Sequence, residues 1–376
     1  MKIVIVGEFS SFAKNLSEGF RALGHECFVF SWGDGFKKIK QDAENSYEVN
    51  ARYNGGGLIR HIEHIFHSTL EYLRLRKFVF GIENDGKWDA VLIINPCFIK
   101  DKRKFWEAGF TKEMIFALVN NKKNVYLSAC GGDIPYFDYW RQHKWKNEET
   151  VLNWLPSTYT QNKIKHHQDY SQYINKVIPV MYGYAEAWRC SQLAKSYQVL
   201  PTIPLPVNCS KFTVKNDLRD KIVVFHGIIR PVDKGTKYIK AAMERLQKEY
   251  PDEVECRAEG GLPLNEYLEL LDRTNILVDQ CCGDYVGMNG LYGLAMGKVV
   301  VACNDPLNQK EINGSDCPIV DIGPDADQIF HALEGLILNR KRISEISRLS
   351  RKYVERVHDA EVVARKYVDL FMEYNH

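Results

Sequence analysis

The run from Ile222 to Cys303 constrains the fold more than any other part of the chain, because apolar strands alternate in it with glycine-bearing loops and helical stretches. Ile222-Val223-Val224-Phe225 leads into His226-Gly227-Ile228-Ile229-Arg230, and Lys234-Gly235-Thr236 opens a helical stretch. Glu259-Gly260-Gly261-Leu262-Pro263 comes next, then Ile276-Leu277-Val278-Asp279-Gln280. Tyr285-Val286-Gly287, a small-residue helix and Gly297-Lys298-Val299-Val300-Val301 close the run. Strand, loop and helix in this alternation predict an α/β layer of parallel strands. Ligands of such sheets lie outside the carboxyl ends of the strands.

The order and spacing of these pieces resemble the C-terminal domain of GT-B fold glycosyltransferases of the family 4 type, in the branch that assembles bacterial polysaccharides. The likeness is close over Ile222–Cys303 and elsewhere rests on layout. It implies an α/β protein of GT-B architecture, two Rossmann-like domains with parallel sheets facing across a cleft. Residues 1–203 would form the acceptor-side domain and 204–355 the nucleotide-sugar donor side, with 356–376 as a C-terminal helix packing back on the N-terminal domain. The implied activity is transfer of a sugar from a UDP- or GDP-type nucleotide-sugar to a glycan or lipid-linked glycan. That transfer would retain anomeric configuration, need no cofactor and no metal, and serve bacterial surface polysaccharide or glycoconjugate assembly.

The chemistry of such a donor can be stated without the family. A nucleoside diphosphate brings several negative charges, and its departure builds more on the leaving oxygen. Arg230 offers a planar fork for two phosphate oxygens and Lys234 a point charge four residues on. Gly227 lets the backbone approach the phosphates, and the helix opened by Gly235 could aim its amino end at them. Each charge-assisted contact contributes about 1.5–3 kcal/mol, so replacing either cation by Ala is expected to abolish transfer and leave the fold intact. The plainer reading of this segment is a solvated basic loop. By the same resemblance Gly7, Glu259, Leu262 and Gly287 belong to the donor side.

The family carries a glutamate eight residues after an acidic or small residue, where it binds the ribose hydroxyls. The corresponding pair here is Asp284 and Tyr292. One phenol cannot take two hydroxyls as a carboxylate does. Tyr292 is therefore either a ligand contact or a core aromatic of its helix. The departure keeps open a catalytically degenerate GT-B glycan-binding or assembly subunit; a nucleotide-sugar epimerase is another alternative on the same fold.

The N-terminal half reads as a second α/β unit, with strands at Lys2–Val6, Cys27–Ser31, Ala90–Asn95, Asn124–Ser128 and Lys176–Pro179. Phe12, Leu16, Phe20 and Leu23 have helical spacing, and Gly24 supplies a stop. Gly7–Ser11 follows the first strand without the G-x-G-x-x-G pattern, which counts against an NAD-linked oxidoreductase. In Ser128-Ala129-Cys130-Gly131-Gly132-Asp133 the family often places His-Gly-Ser-Asp; Asp133 matches its acid, expected to bind an acceptor hydroxyl or to stabilise positive charge in the transition state. Its structural alternative is a turn or N-cap aspartate before Pro135. The aromatic stretch beyond includes Tyr136, Trp140, Trp145 and Trp154, interleaved with Lys144 and Lys146; it suits sugar stacking or a satellite core. Tyr136, Trp140 and, further on, Tyr182 are the acceptor-binding candidates.

A helix over Leu58–Phe80 carries Leu58, Ile62, Ile65, Phe66, Leu70 and Leu73 beside Arg60, Arg74, Arg76 and Lys77. It packs on its own domain or lies on a membrane surface. His61, His64 and His67 recur every third residue, which on a helix turns them away from a common point, so no metal site is expected.

Composition sets the outer bounds. A chain of 376 residues can bury two ordinary cores, and no stretch approaches a membrane span. The ten cysteines are scattered without a Cys-x-x-Cys pair, as in a reducing, cytoplasmic protein. A net charge of +2 gives no argument for nucleic acid. Up to residue 200, 27 Lys and Arg face 21 Asp and Glu; beyond it, 23 face 27. The basic first part suits an anionic acceptor or peripheral contact with an anionic membrane at its inner face. Pro201, Pro204 and Pro206 make a stiff domain connector, and helices are expected over Leu333–Leu338 and Ile343–Phe371.

Overall fold

The computed structural model describes residues 1–50, 58–82, 87–104, 107–143, 159–193, 197–218, 220–262 and 264–375. Trp145 and Trp154 of the aromatic stretch, with Lys144, Lys146 and Pro263, lie outside the described residues, as do the side chains of residues 58–61. The chain divides into two compact units, residues 1–203 with 363–376, and residues 204–362.

The first unit is built on a seven-stranded sheet ordered β3-β2-β1-β4-β5-β6-β7. Its strands are β1 Lys2–Val6, β2 Glu26–Ser31, β3 Ser46–Glu48, β4 Ala90–Ile93, β5 Val125–Ala129, β6 Lys176–Pro179 and β7 Gln198–Val199. Every pairing is parallel. The central strands β1, after the exposed Lys2, and β4 are unbroken apolar runs because both faces of a parallel sheet are covered. The order reverses between β1 and β4, which creates a switch point at their carboxyl ends. Helix Phe12–Ala22 buries Phe12, Leu16 and Phe20 on this sheet. Its N-cap Ser11 makes no side-chain capping bond; the Lys14 N–H donates instead to Glu8 Oε2 at 3.0 Å. The edge strands β3 and β7, three and two residues long, lack a periodicity that sequence could reveal.

The second unit holds five parallel strands ordered β12-β11-β10-β8-β9: β8 Ile222–Gly227, β9 Val254–Glu259, β10 Ile276–Val278, β11 Val299–Ala302 and β12 Val320–Asp321. Successive side chains of a strand point to opposite faces. Accordingly Ile222, Val224, Ile276 and Val278 pack with Ile239, Leu246 and Phe330 on one face. Val223, Phe225 and Leu277 pack with Leu270 and Leu271 on the other. The switch point here falls between β8 and β10.

The C-terminal region forms helices Ala326–Ile337, Arg340–Val357 and Ala360–Tyr374. A break at His358-Asp359 interrupts the expected Ile343–Phe371 run, and pairing with the proline-rich connector explains it. Val207 N–H donates to His358 O at 2.7 Å and Ala360 N–H to Val207 O at 2.9 Å. The His358 ring completes the junction by donating from Nδ1 to Leu205 O at 2.8 Å. Beyond the break, Tyr367 and Phe371 pack on Phe20, and Phe371 on Tyr126, within the first unit.

Candidate functional site

At the carboxyl edge of the second sheet, the switch point is framed by the segments that follow β8 and β10. His226, fully buried near the end of β8, bonds through Nδ1 to Val278 O and through Nε2 to Thr236 Oγ1, both at 2.9 Å. A carbonyl only accepts, so Nδ1 carries the proton and Nε2 takes one from the threonine. Burial holds this imidazole down at about 4, so it is neutral. It ties β8, β10 and the first turn of helix Thr236–Glu249 together.

Lys234 reaches into the same place. Its Nζ lies 2.6 Å from Asp279 Oδ1, immediately after β10, with both side chains buried. Asn289 Nδ2 donates to the same oxygen at 3.2 Å, and the Gly287 N–H to Oδ2 at 3.1 Å. Tyr267 in turn donates its hydroxyl proton to Asn289 Oδ1. Burial alone would raise the Asp279 carboxyl; the adjacent ammonium and these donors outweigh it and hold the group below its usual range. Asp279 is the one side-chain partner of the Lys234 ammonium among the described residues, which leaves two of its N–H donors available.

Gly235, the N-cap of helix Thr236–Glu249, has φ +70°, and a Cβ there would stand 2.3 Å from Cys281 Sγ. Only glycine fits this turn. Gly227 differs: a Cβ would meet nothing closer than 3.6 Å, so the protein's own packing does not require glycine. Arg230 holds a left-handed backbone at φ 55°, with its guanidinium exposed and 3.7 Å from Asp233. A non-glycine residue in that region is strained, and such strain gathers at functional sites.

Five other residues of this unit are donor-side candidates. Glu259 ends β9 in register with Gly227. Leu262 packs into the Phe225 face of the core. Asp284 is buried, its carbonyl accepting from Asp305 N–H at 2.9 Å. Gly287 directs its N–H at Asp279. Tyr292, on helix Met288–Ala295, sets its ring against Phe212 with centroids 5.2 Å apart.

In the first unit, Gly7 follows β1 with φ +107°, and a Cβ would overlap the Phe98 ring. Asp133 sits before helix Ile134–His143, where Oδ1 accepts from Tyr136 N–H at 2.9 Å and Oδ2 from the Trp188 indole at 2.8 Å. Burial pushes its carboxyl up to about 7 against these two donors. Tyr136 packs on Tyr184 at 4.6 Å, and Trp140 donates to Gly183 O at 3.2 Å. Helix Tyr182–Cys190, which begins with the half-buried Tyr182, thus brings the three aromatic candidates to one region.

Sequence reading missed Asp279, Asn289 and Tyr267 as members of the Lys234 network, and Glu8 and Trp188 in the first unit. Asp279 was visible only as the polar end of an apolar strand. Among the described residues no group of three or more His, Cys, Asp or Glu is placed to hold a metal ion.

Two parallel sheets with these switch points fit the GT-B fold, and solved structures of that fold superpose on the chain. Sucrose-phosphate synthase from Thermosynechococcus elongatus superposes with a TM-score of 0.61 over 99% of both chains, at 13% identity. TarM from S. aureus, in a complex that includes UDP, gives 0.58 at 11% identity over 99% of this chain and 100% of that one. HepE from Anabaena, in complex with UDP-glucose, gives 0.56 at 10% identity with the same coverage. At these identities the likeness is one of fold. No family model matches the sequence, and no curated protein does either.

Proposed function

We propose that the chain is a glycosyltransferase that takes a sugar from a nucleoside-diphosphate donor and passes it to a glycan or lipid-linked glycan. The observation that carries this reading is the buried Lys234 ammonium at the β8/β10 switch point, with donors to spare, beside the strained Arg230. Two cations and the amino end of helix Thr236–Glu249 make a setting for a diphosphate. As the sugar–oxygen bond breaks, charge grows on the leaving phosphate, and the same groups stabilise it there. The complexes of TarM with UDP and of HepE with UDP-glucose favour a uridine donor.

Retention of configuration, independence from metal and a role in bacterial surface polysaccharide or glycoconjugate assembly complete the reading, by the resemblance of Ile222–Cys303 to family 4 enzymes. Tyr136 and Tyr182, both half-buried, supply stacking surface for the acceptor, whereas Trp140 is buried with its indole bonded to Gly183 O and belongs to the core beside them. The basic first part of the chain favours a peripheral position at an anionic membrane. The second reading, a glycan-binding subunit without turnover, draws on Tyr292, whose ring packs against Phe212 where the family places a carboxylate.

Calorimetric titration with UDP, GDP, CDP and ADP, with and without EDTA, tests the site. Micromolar binding of one diphosphate, unchanged by EDTA, is expected. Binding of none would refute the donor site and leave the subunit reading. Binding followed by donor hydrolysis or transfer would separate the enzyme from the subunit.

A further inference from the structure

Helix Leu58–Ile82 has a buried face, which packs within its unit, and an apolar ridge that this packing leaves uncovered. Ser68, Glu71, Leu75 and Val79 are buried and form the inner face. At about 100° per residue, Ile62, Phe66, Leu73 and Phe80 fall within about 40° of one another on the roughly opposite side. Ile62, Phe66 and Leu73 are 60%, 66% and 54% exposed. The Arg76 guanidinium lies 5.1 Å from the Phe80 ring centroid, and Leu73, Arg76, Lys77, Phe80 and Gly81 line a surface hollow of about 550 Å³.

Charge selects what covers this ridge. Arg76 and Lys77 flank it on its two sides and Arg74 stands beyond Lys77; all three are exposed. Glu63 is the one exposed carboxylate on the described part of the helix. A second copy docked ridge to ridge would set these cations against their own kind, which opposes association. An apolar stripe between bases is instead the pattern of a helix that lies in the headgroup region of an anionic bilayer. Among the described residues no helix is long and apolar enough to cross a membrane.

We infer that the outward ridge of helix Leu58–Ile82 docks the protein on an anionic lipid surface, with Phe66 and Leu73 entering the acyl boundary and Arg74, Arg76 and Lys77 meeting the headgroups. The inference locates the membrane contact of the transferase reading but stands on this helix alone, so it can fail while the nucleotide site holds.

Co-sedimentation of the full chain with vesicles of phosphatidylcholine, alone or mixed with phosphatidylglycerol, is the test. Binding to the anionic vesicles, weakened by salt, is expected. The double change Phe66→Asp and Leu73→Asp should lower the partition coefficient at least ~10-fold. Changing Arg74, Arg76 or Lys77 to Gln should each lower it roughly fivefold. Melting temperature and diphosphate binding should stay at wild-type values in the Phe66, Leu73, Arg76 and Lys77 variants, whose side chains are exposed. Arg74→Gln also removes a cation 3.9 Å from the buried Glu71 and should melt slightly lower. Three results would overturn the inference: equal binding by the variants, no preference for anionic lipid, or a concentration-dependent dimer that Phe66→Asp dissociates without vesicles.

Discussion

The Lys234 ammonium and the Asp279 carboxylate meet at 2.6 Å inside the second unit, with side-chain exposures of 7% and 1%. The pair is electrically neutral, so what it offers a phosphate is directed N–H donors more than net charge. It also changes the expectation that Lys234 can be removed without harm to the fold.

Lys234→Ala leaves Asp279 buried and unpaired, which should destabilise the protein by about 3–5 kcal/mol. Lys234→Ala combined with Asp279→Asn should recover much of that stability while diphosphate binding stays lost. Denaturant unfolding and calorimetry on the three proteins separate the two effects. Full recovery of binding in the double variant would remove Lys234 from the site.

Arg230 should behave in the opposite way. Its exposed side chain makes Arg230→Ala nearly neutral for stability, whereas Arg230→Gly relieves a left-handed backbone and should stabilise by about 1 kcal/mol. Both should weaken diphosphate binding by about 1.5–3 kcal/mol, the worth of a charge-assisted contact. Thermal melts and titrations of the pair check the signs.

Two glycines eight residues apart should separate folding from binding. Gly235→Ala combines an unfavourable φ with overlap on Cys281 Sγ and should cost about 1–3 kcal/mol of stability. At Gly227 a methyl group finds room, so Gly227→Ala should melt near wild type and yet bind diphosphate more weakly. Unchanged binding would place Gly227 away from the ligand.

Burial raises the Glu8 carboxyl from 4.5 to about 7, against the hydrogen bonds from Lys14 and Gln41. The folded state then holds more protons than the unfolded chain between those values. The contribution is therefore complete below about pH 4.5 and lost as pH rises through about 7. Glu8→Gln cannot ionise, so its stability relative to wild type should rise between pH 5 and pH 8, by roughly 1–3 kcal/mol. Urea unfolding at the two pH values measures this; a constant difference would mean that Glu8 is ionised throughout.

The strands that form the centres of both sheets were legible because their apolar runs are long enough to stand out. β1 and β6 coincide with their expected spans, and helix Phe12–Ala22 ends one residue short of the expected Leu23. β3 and β7 were not legible, since two or three half-exposed residues at a sheet edge gain their order from a neighbour. The break at His358 was likewise hidden: helical spacing runs through it, and its cause lies at Leu205 and Val207, some 150 residues earlier in the chain.

The candidate site divides along the same line. Sequence by itself determined that basic and glycine-bearing loops follow buried strands, because hydrophobic periodicity and turn chemistry act over a few residues. Only the tertiary structure decided what those loops do to one another. It gave Lys234 a buried counter-ion 45 positions away and placed the Trp188 indole, 55 positions away, on Asp133. Burial, which sets the protonation of Glu8, Asp133 and His226, depends on every element packed around them. Pairing and desolvation are properties of the assembled sheets, and no local pattern encodes them.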